Sequence, residues 1–285
     1  MQKQTHMKQY ILLFIAPFLS LAASAQSMSC CSTTSTERFA MLGTDKSFAA
    51  GHADPLPFHL ATGNGKMITF PTTDGKAANA YEVRSGKESN RVIFMFQEWW
   101  GLNDYIKQEA EKLATELGNV TVYAIDLYDG RVATTSEEAG KYMSETKEER
   151  IRTIIRGALT HVGTKAKVYT IGWCFGGGWS LQATLMADTQ AAGCVMYYGM
   201  PESDLGKLKT LHADVLGIFA NQDKHITPAI VTEFESNMKK LGKKLSVKRY
   251  DAVHAFANPS NPNYNKEYSD DAHQLVLAFF KEHLK

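Results

Sequence analysis

The sequence predicts an α/β fold, with a mostly parallel central sheet of about eight strands, helices on both faces and an antiparallel hairpin at the N-terminal edge. Three observations carry this. From Lys66 onward, short runs rich in β-branched and aromatic residues alternate with stretches of helical period. The first two runs are joined only by the short turn at Thr73, Asp74 and Gly75. Near the middle, the run 167–173 ends at Cys174, with Gly172 two residues before it and Gly176 two after. That last pattern is a nucleophile elbow, where a strand turns sharply into a helix and presents one reactive side chain at the bend.

Taken in order, the strand-like runs are 67–71, 78–84, 91–97, 120–125, 167–173, 193–198, 214–220 and 245–250. Helical periods cover 104–118, 136–162, 177–187, 228–242 and 264–284, and 136–162 reads as two helices or one that breaks. The runs 67–71 and 78–84 form the hairpin, and the rest alternate with helices as parallel strands do. At the elbow, strand and helix cross so closely that a Cβ at Gly172 or Gly176 would clash, and the backbone is driven toward positive φ. A dinucleotide-binding reading of the same glycines fails. Trp179, Ser180 and Leu181 follow Gly178, so the third glycine of that fingerprint is missing.

The N-terminus is expected to be cut away. Lys3 and Lys8 precede an apolar run over 10–21, and Ala23, Ser24 and Ala25 then give an Ala-x-Ala pattern. The run, about 12 residues, is too short to span a bilayer of roughly 30 Å as a helix. Residues 1–25 therefore read as a signal peptide cleaved after Ala25, and the protein as exported, periplasmic or extracellular, with no membrane span after cleavage. A lipid anchor on Cys30 is disfavoured, because Ser27, Met28 and Ser29 lack the usual leucine. Residues 26–60 are rich in Ser, Thr, Ala, His and Pro without sustained period, and are expected to be a flexible leader. The folded domain is expected over 61–285.

The 285 residues carry a net charge of +1 with both signs dispersed, which excludes a basic nucleic-acid stripe and an acidic tail. Four cysteines in an exported chain could pair. Cys30 and Cys31 lie in the leader, and Cys194 sits in an apolar strand-like run as a core residue. A Cys174–Cys194 disulfide would abolish the chemistry of the elbow. The nine histidines show no His-Glu-x-x-His pattern and the cysteines lack zinc spacing, so neither metal nor cofactor is expected.

In an open parallel sheet the functional loops gather at the carboxyl ends of the strands. Those loops hold Glu98, Trp99 and Trp100, then Asp126 and Tyr128, then Cys174, then Asp223, then His254. A thiol attacks as its thiolate and needs a base. His254 is the natural base and Asp223 the carboxylate that orients it, with Asp251 as a rival too near His254 in sequence. The order nucleophile, acid, base is that of α/β-hydrolases. The first amides of the helix that begins at Phe175 should lower the thiol pKa and hold a developing oxyanion. The N–H groups of Phe175 and Trp99 are the expected oxyanion donors. Trp100, Tyr128 and Phe256 suggest an apolar substrate pocket, with Trp179 nearby.

Together, residues 97–103, Asp126-Leu127-Tyr128, Gly172-Trp173-Cys174-Phe175-Gly176-Gly177, Asp223 and His254-Ala255-Phe256 resemble the dienelactone hydrolase family. The resemblance covers roughly residues 60–285. It implies an α/β-hydrolase fold, a Cys174–His254–Asp223 triad without cofactor, and a small ester or lactone substrate cleaved through a thioester acyl-enzyme. It also implies that Glu98 holds the resting thiol out of line until substrate arrives. One departure matters. The family's carboxylate-binding arginine, four residues after the histidine, is Asn258 here, and Arg131 is off by one from a second family arginine. The fold and triad carry over, whereas the dienelactone substrate does not. Thioester, amide or acyl-transfer chemistry on the same scaffold is the alternative, followed by a redox-sensing thiol or a non-catalytic binding module.

Overall fold

Lys66–Pro71 (β1) and Ala77–Ser85 (β2) pair antiparallel, as the short turn between them requires. Arg91–Phe96 (β3), Val120–Ile125 (β4), Lys167–Trp173 (β5), Ala191–Tyr197 (β6), Val215–Ala220 (β7) and Leu245–Tyr250 (β8) follow. The sheet order is β1-β2-β4-β3-β5-β6-β7-β8, and every neighbouring pair from β4 to β8 is parallel. β2 pairs antiparallel with β4, so β1 forms the outer edge. Strands covered on both faces read as near-continuous apolar runs. β3, β4, β5 and β7 are buried along nearly their whole lengths, whereas β8 at the far edge is only half-buried. This computed structural model describes residues 1, 33–87 and 89–285. The apolar run 10–21, the Ala23-Ser24-Ala25 pattern, Cys30 and Cys31 lie outside the described residues.

Two short helices, Ser35–Ala40 (α1) and Lys46–Ala50 (α2), precede the sheet. Asp104–Leu117 (α3), Ser136–Glu145 (α4), Glu148–Val162 (α5), Phe175–Ala187 (α6), Leu205–Lys209 (α7), Pro228–Lys240 (α8) and Lys266–His283 (α9) complete the set among the described residues. α3 packs with α9 on one face of the sheet, and α5 packs with α6 on the other. The expected helical stretch 136–162 breaks in two. The Thr146 hydroxyl caps back onto the Tyr142 carbonyl, and Lys147 is extended before α5 restarts. Among the described residues, no helix is long and apolar enough to cross a membrane.

Residues 33–52, expected to belong to a flexible leader, are instead built into the fold. Thr34 and Glu37 form a reciprocal capping box at the start of α1, and the Asp45 carboxylate caps α2. Phe39 and Phe48 are buried in the main core. The ring of Phe48 meets Phe39 at 5.8 Å and Trp99 at 5.1 Å, both edge to face. Burial of two large rings outweighs the polar composition that suggested a loose segment. Replacing Phe48 with alanine is expected to cost about 3–5 kcal/mol, as emptying a buried aromatic site does. The denaturant midpoint of the purified protein checks this; an unchanged midpoint would mean that α2 is not packed.

Candidate active site

The elbow forms as its glycines require. A Cβ at Gly172 would stand 2.1 Å from the Gly176 carbonyl oxygen, and one at Gly176 would stand 2.3 Å from that of Gln97. Only glycine permits β3, β5 and α6 to approach so closely. The positive φ falls on Cys174 itself, at 56°, rather than on the glycines. Tyr198 at 33° and Ala255 at 59° are also in positive φ, on loops that meet at the same place. Such backbone strain, about 1–3 kcal/mol per residue, gathers at functional sites.

The loop after β7 supplies Asp223 and the loop after β8 supplies His254. His254 Nδ1 donates to Asp223 Oδ2 at 2.5 Å, while Asp223 Oδ1 accepts from the amides of His225 and Ile226. The carboxylate is therefore fixed, and it fixes the ring. The rival Asp251 is exposed and accepts from Gln222 instead. The other nitrogen, His254 Nε2, is buried without a hydrogen-bond partner among the described residues. A ring nitrogen of His254, a ring nitrogen of His52 and the Cys174 sulfur all lie within 4.8 Å of one another. With Nδ1 engaged by Asp223, Nε2 is the His254 nitrogen free to face the thiol.

Charge follows burial here. Desolvation raises the Cys174 pKa, and the opposing pull of His254 and of the Phe175 amide does not reverse it. The expectation that the helix terminus would lower this pKa is therefore corrected: loss of water outweighs the amides. Burial also disfavours a charged His254, but Asp223 outweighs it and raises the ring's proton affinity well above the ordinary value. The pair is thus a thiol that resists ionisation beside an imidazole of high proton affinity.

Glu98, which the resemblance casts as holding the resting thiol, accepts hydrogen bonds from two other loops. Asn258 Nδ2 donates to its Oε2 and the Tyr198 hydroxyl to its Oε1. Asn258 in turn accepts from the amide and hydroxyl of Ser260. The position of the family arginine thus ties the loop after β8 to the loop after β3. Burial lifts the Glu98 pKa from 4.5 to about 7, against the pull of His254 and its two donors. A raised carboxyl favours the fold when protonated. Its contribution is full below pH 4.5 and is lost as pH rises through about 7. That loss is about 3 kcal/mol. Glu98→Gln stays neutral and keeps an acceptor. Denaturation measured across this range should show the loss in the wild type and its removal in the variant. Equal pH slopes in the two proteins would show that Glu98 is not the titrating group.

The remaining expected residues divide. Trp99 is fully buried, as is Phe175 apart from 2%. Trp100 lines a cleft of 290 Å³ together with Glu98, Trp173, Tyr197, Asn258 and Tyr264. Tyr128 and Phe256 do not line it. Tyr128 packs on Phe175 and Tyr142, and Phe256 on Tyr198 and Tyr250. Asp126 is spent on its own loop, accepting from the amides of Tyr128 and Gly130. Arg131 stacks over Tyr142 and bonds Thr146. Cys174 and Cys194 are both free thiols, and Cys194 lies in the core beside Ser180.

Three residues that cover the site lay outside the sequence reading, and all come from the segment taken as a leader. Phe48, His52 and Phe39 cover His254 at ring distances of 5.7, 5.3 and 6.5 Å, and the thiol beneath has no exposed surface. The signal available was the Thr34-x-x-Glu37 capping box, followed by an apolar pattern through Phe39 and Phe48. Burial lowers the His52 pKa to about 3, aided by repulsion from His254, so its ring is neutral.

Comparison with known proteins agrees with this architecture. The model of the dienelactone hydrolase family matches residues 78–284. Protein usf of Aquifex pyrophilus is 26% identical, over 77% of this chain and 99% of its own. The carboxymethylenebutenolidase of Pseudomonas sp. strain P51 is 26% identical, over 67% of this chain and 84% of its own. The crystal structure of P91, a dienelactone hydrolase-like promiscuous phosphotriesterase from metagenomic libraries, covers 78% of this chain and 99% of its own. It superposes with a TM-score of 0.63 at 20% identity, which bears on the fold alone. With an eight-stranded sheet of this order and a family match across most of its length, the chain belongs to the dienelactone hydrolase family and is a hydrolase of ester or lactone bonds.

Proposed function

We propose that the protein is an exported, cysteine-dependent hydrolase that cleaves a small carboxylic ester or lactone through a thioester acyl-enzyme. The observation that carries this reading is the His254 ring, pinned by Asp223 at 2.5 Å with its free nitrogen turned to the sulfur at the elbow. Cys174 Sγ attacks the carbonyl carbon while its proton passes to His254 Nε2. The amides of Trp99 and Phe175 receive the oxyanion. Collapse of the tetrahedral intermediate expels the alcohol, which takes the proton from His254 and leaves a thioester on Cys174. Water, deprotonated by His254, attacks the thioester; the acid departs and the thiol is restored. Export rests on the apolar run 10–21 and the Ala23-Ser24-Ala25 pattern.

The test is intact-mass analysis after rapid mixing with a p-nitrophenyl ester. One acyl group per chain, localised to Cys174 and formed together with a burst of p-nitrophenol, is the expected result. A burst with the acyl group on another residue would reject the assignment.

A further inference from the structure

His52 has no part in the proposed reaction, yet it faces the reacting sulfur. Its Nδ1 lies 2.7 Å from the Phe48 carbonyl oxygen, which can only accept. Nδ1 therefore carries the proton, and Nε2 presents a bare lone pair. That nitrogen is buried and has no partner among the described residues. His254 repeats the arrangement, with Nδ1–H held by Asp223 and Nε2 unpartnered. His52 is 3% exposed and His254 8%.

One ring nitrogen of each histidine and the Cys174 sulfur lie within 4.8 Å of one another, and the carbonyl and the carboxylate leave Nε2 as the nitrogen each ring can offer. While His254 is neutral, neither imidazole can donate to the other, and a thiol has a single proton, which leaves one buried acceptor unsatisfied at a cost of about 1–3 kcal/mol. A cation satisfies both nitrogens and the sulfur together. The surroundings are already those of metal-binding histidines, whose second ring nitrogen donates to a carboxylate or a backbone carbonyl. Two imidazoles and a thiolate suit zinc rather than magnesium or calcium, and three protein ligands leave a fourth position for water. His52 and Cys174 are 122 positions apart and Cys174 and His254 are 80, so no spacing motif announces them.

We propose that His52, Cys174 and His254 form a three-ligand site for a zinc-class cation, and that the bound ion holds the thiol out of reaction. On binding, the S–H bond breaks, a sulfur–zinc bond forms and the proton leaves to solvent, with no change of oxidation state. The His254 lone pair that would accept the thiol proton is then taken by the metal. The binding claim stands on the geometry alone. The inhibition claim rests on the function proposed above.

The full chain carrying Cys30→Ser and Cys31→Ser, which removes the leader thiols, is titrated with Co²⁺ and back-titrated with Zn²⁺. One cobalt per chain with a sulfur-to-cobalt charge-transfer band is expected, lost in Cys174→Ser and displaced by zinc. His52→Gln should weaken zinc binding by at least the 10–100-fold that loss of an outer-shell partner costs. The same variant should still hydrolyse the p-nitrophenyl ester, and should need correspondingly more zinc for inhibition. Absence of the charge-transfer band, or equal zinc affinity in folded His52→Gln, overturns the site. Should His52→Gln fail to fold by circular dichroism, His254→Gln supplies the same comparison of affinity. If the wild type shows no ester turnover, the function reading fails while the cobalt titration still decides the site.

Discussion

Replacing Cys174 with alanine should remove ester turnover almost entirely, by on the order of 10⁶-fold in kcat, as loss of a triad nucleophile does. The other cysteine among the described residues, Cys194, is sealed in the core, bonded through Ser180 to β5 and β6. The fold should persist. Removing one sulfur from a fully buried position leaves only a small cavity. Steady-state kinetics with an activated ester, paired with a denaturation curve, checks both halves. Turnover near the wild-type rate in the folded variant would end the role given to Cys174.

His254→Ala should be as damaging, because nucleophile and base act as a unit, and single losses cost about as much as removing the whole triad, on the order of 10⁶-fold. The pH profile makes the test specific. In the proposed mechanism His254 takes the thiol proton, with Asp223 holding its proton affinity high. Without the ring, only hydroxide remains to ionise a thiol that burial has raised above its ordinary 9.0. The residual rate should therefore keep climbing with pH through pH 9, whereas the wild type levels off. A merely structural histidine would lower the rate without changing the shape of the profile, and that outcome would remove His254 from the proton path.

Much of the site was readable before any coordinates. Gly172 and Gly176 mark the elbow because no other residue survives a contact of 2.1–2.3 Å with a carbonyl oxygen. Asp223 and His254 follow β7 and β8, and parallel strands deliver such loops to one edge. The parts misread share a cause. That Asn258 and Tyr198, 160 and 100 residues away, hold Glu98 was not readable from the sequence. The thiol pKa was expected to fall because amides are visible in a sequence and desolvation is not. Residues 33–52 read as a leader because α1 and α2 are short and polar, and their stability comes from rings they bury against Trp99, Phe175 and His254.

The chain by itself determined the order of strands and helices, the elbow and the placing of Asp223 and His254 on the loops that follow it, because these depend on local sterics and on the direction of parallel strands. Only the tertiary structure decided what covers the thiol, which partner holds Glu98 and how His52 comes to face Cys174. Those outcomes turn on distance and on exclusion of water between residues remote in sequence, and neither quantity is written in any local pattern.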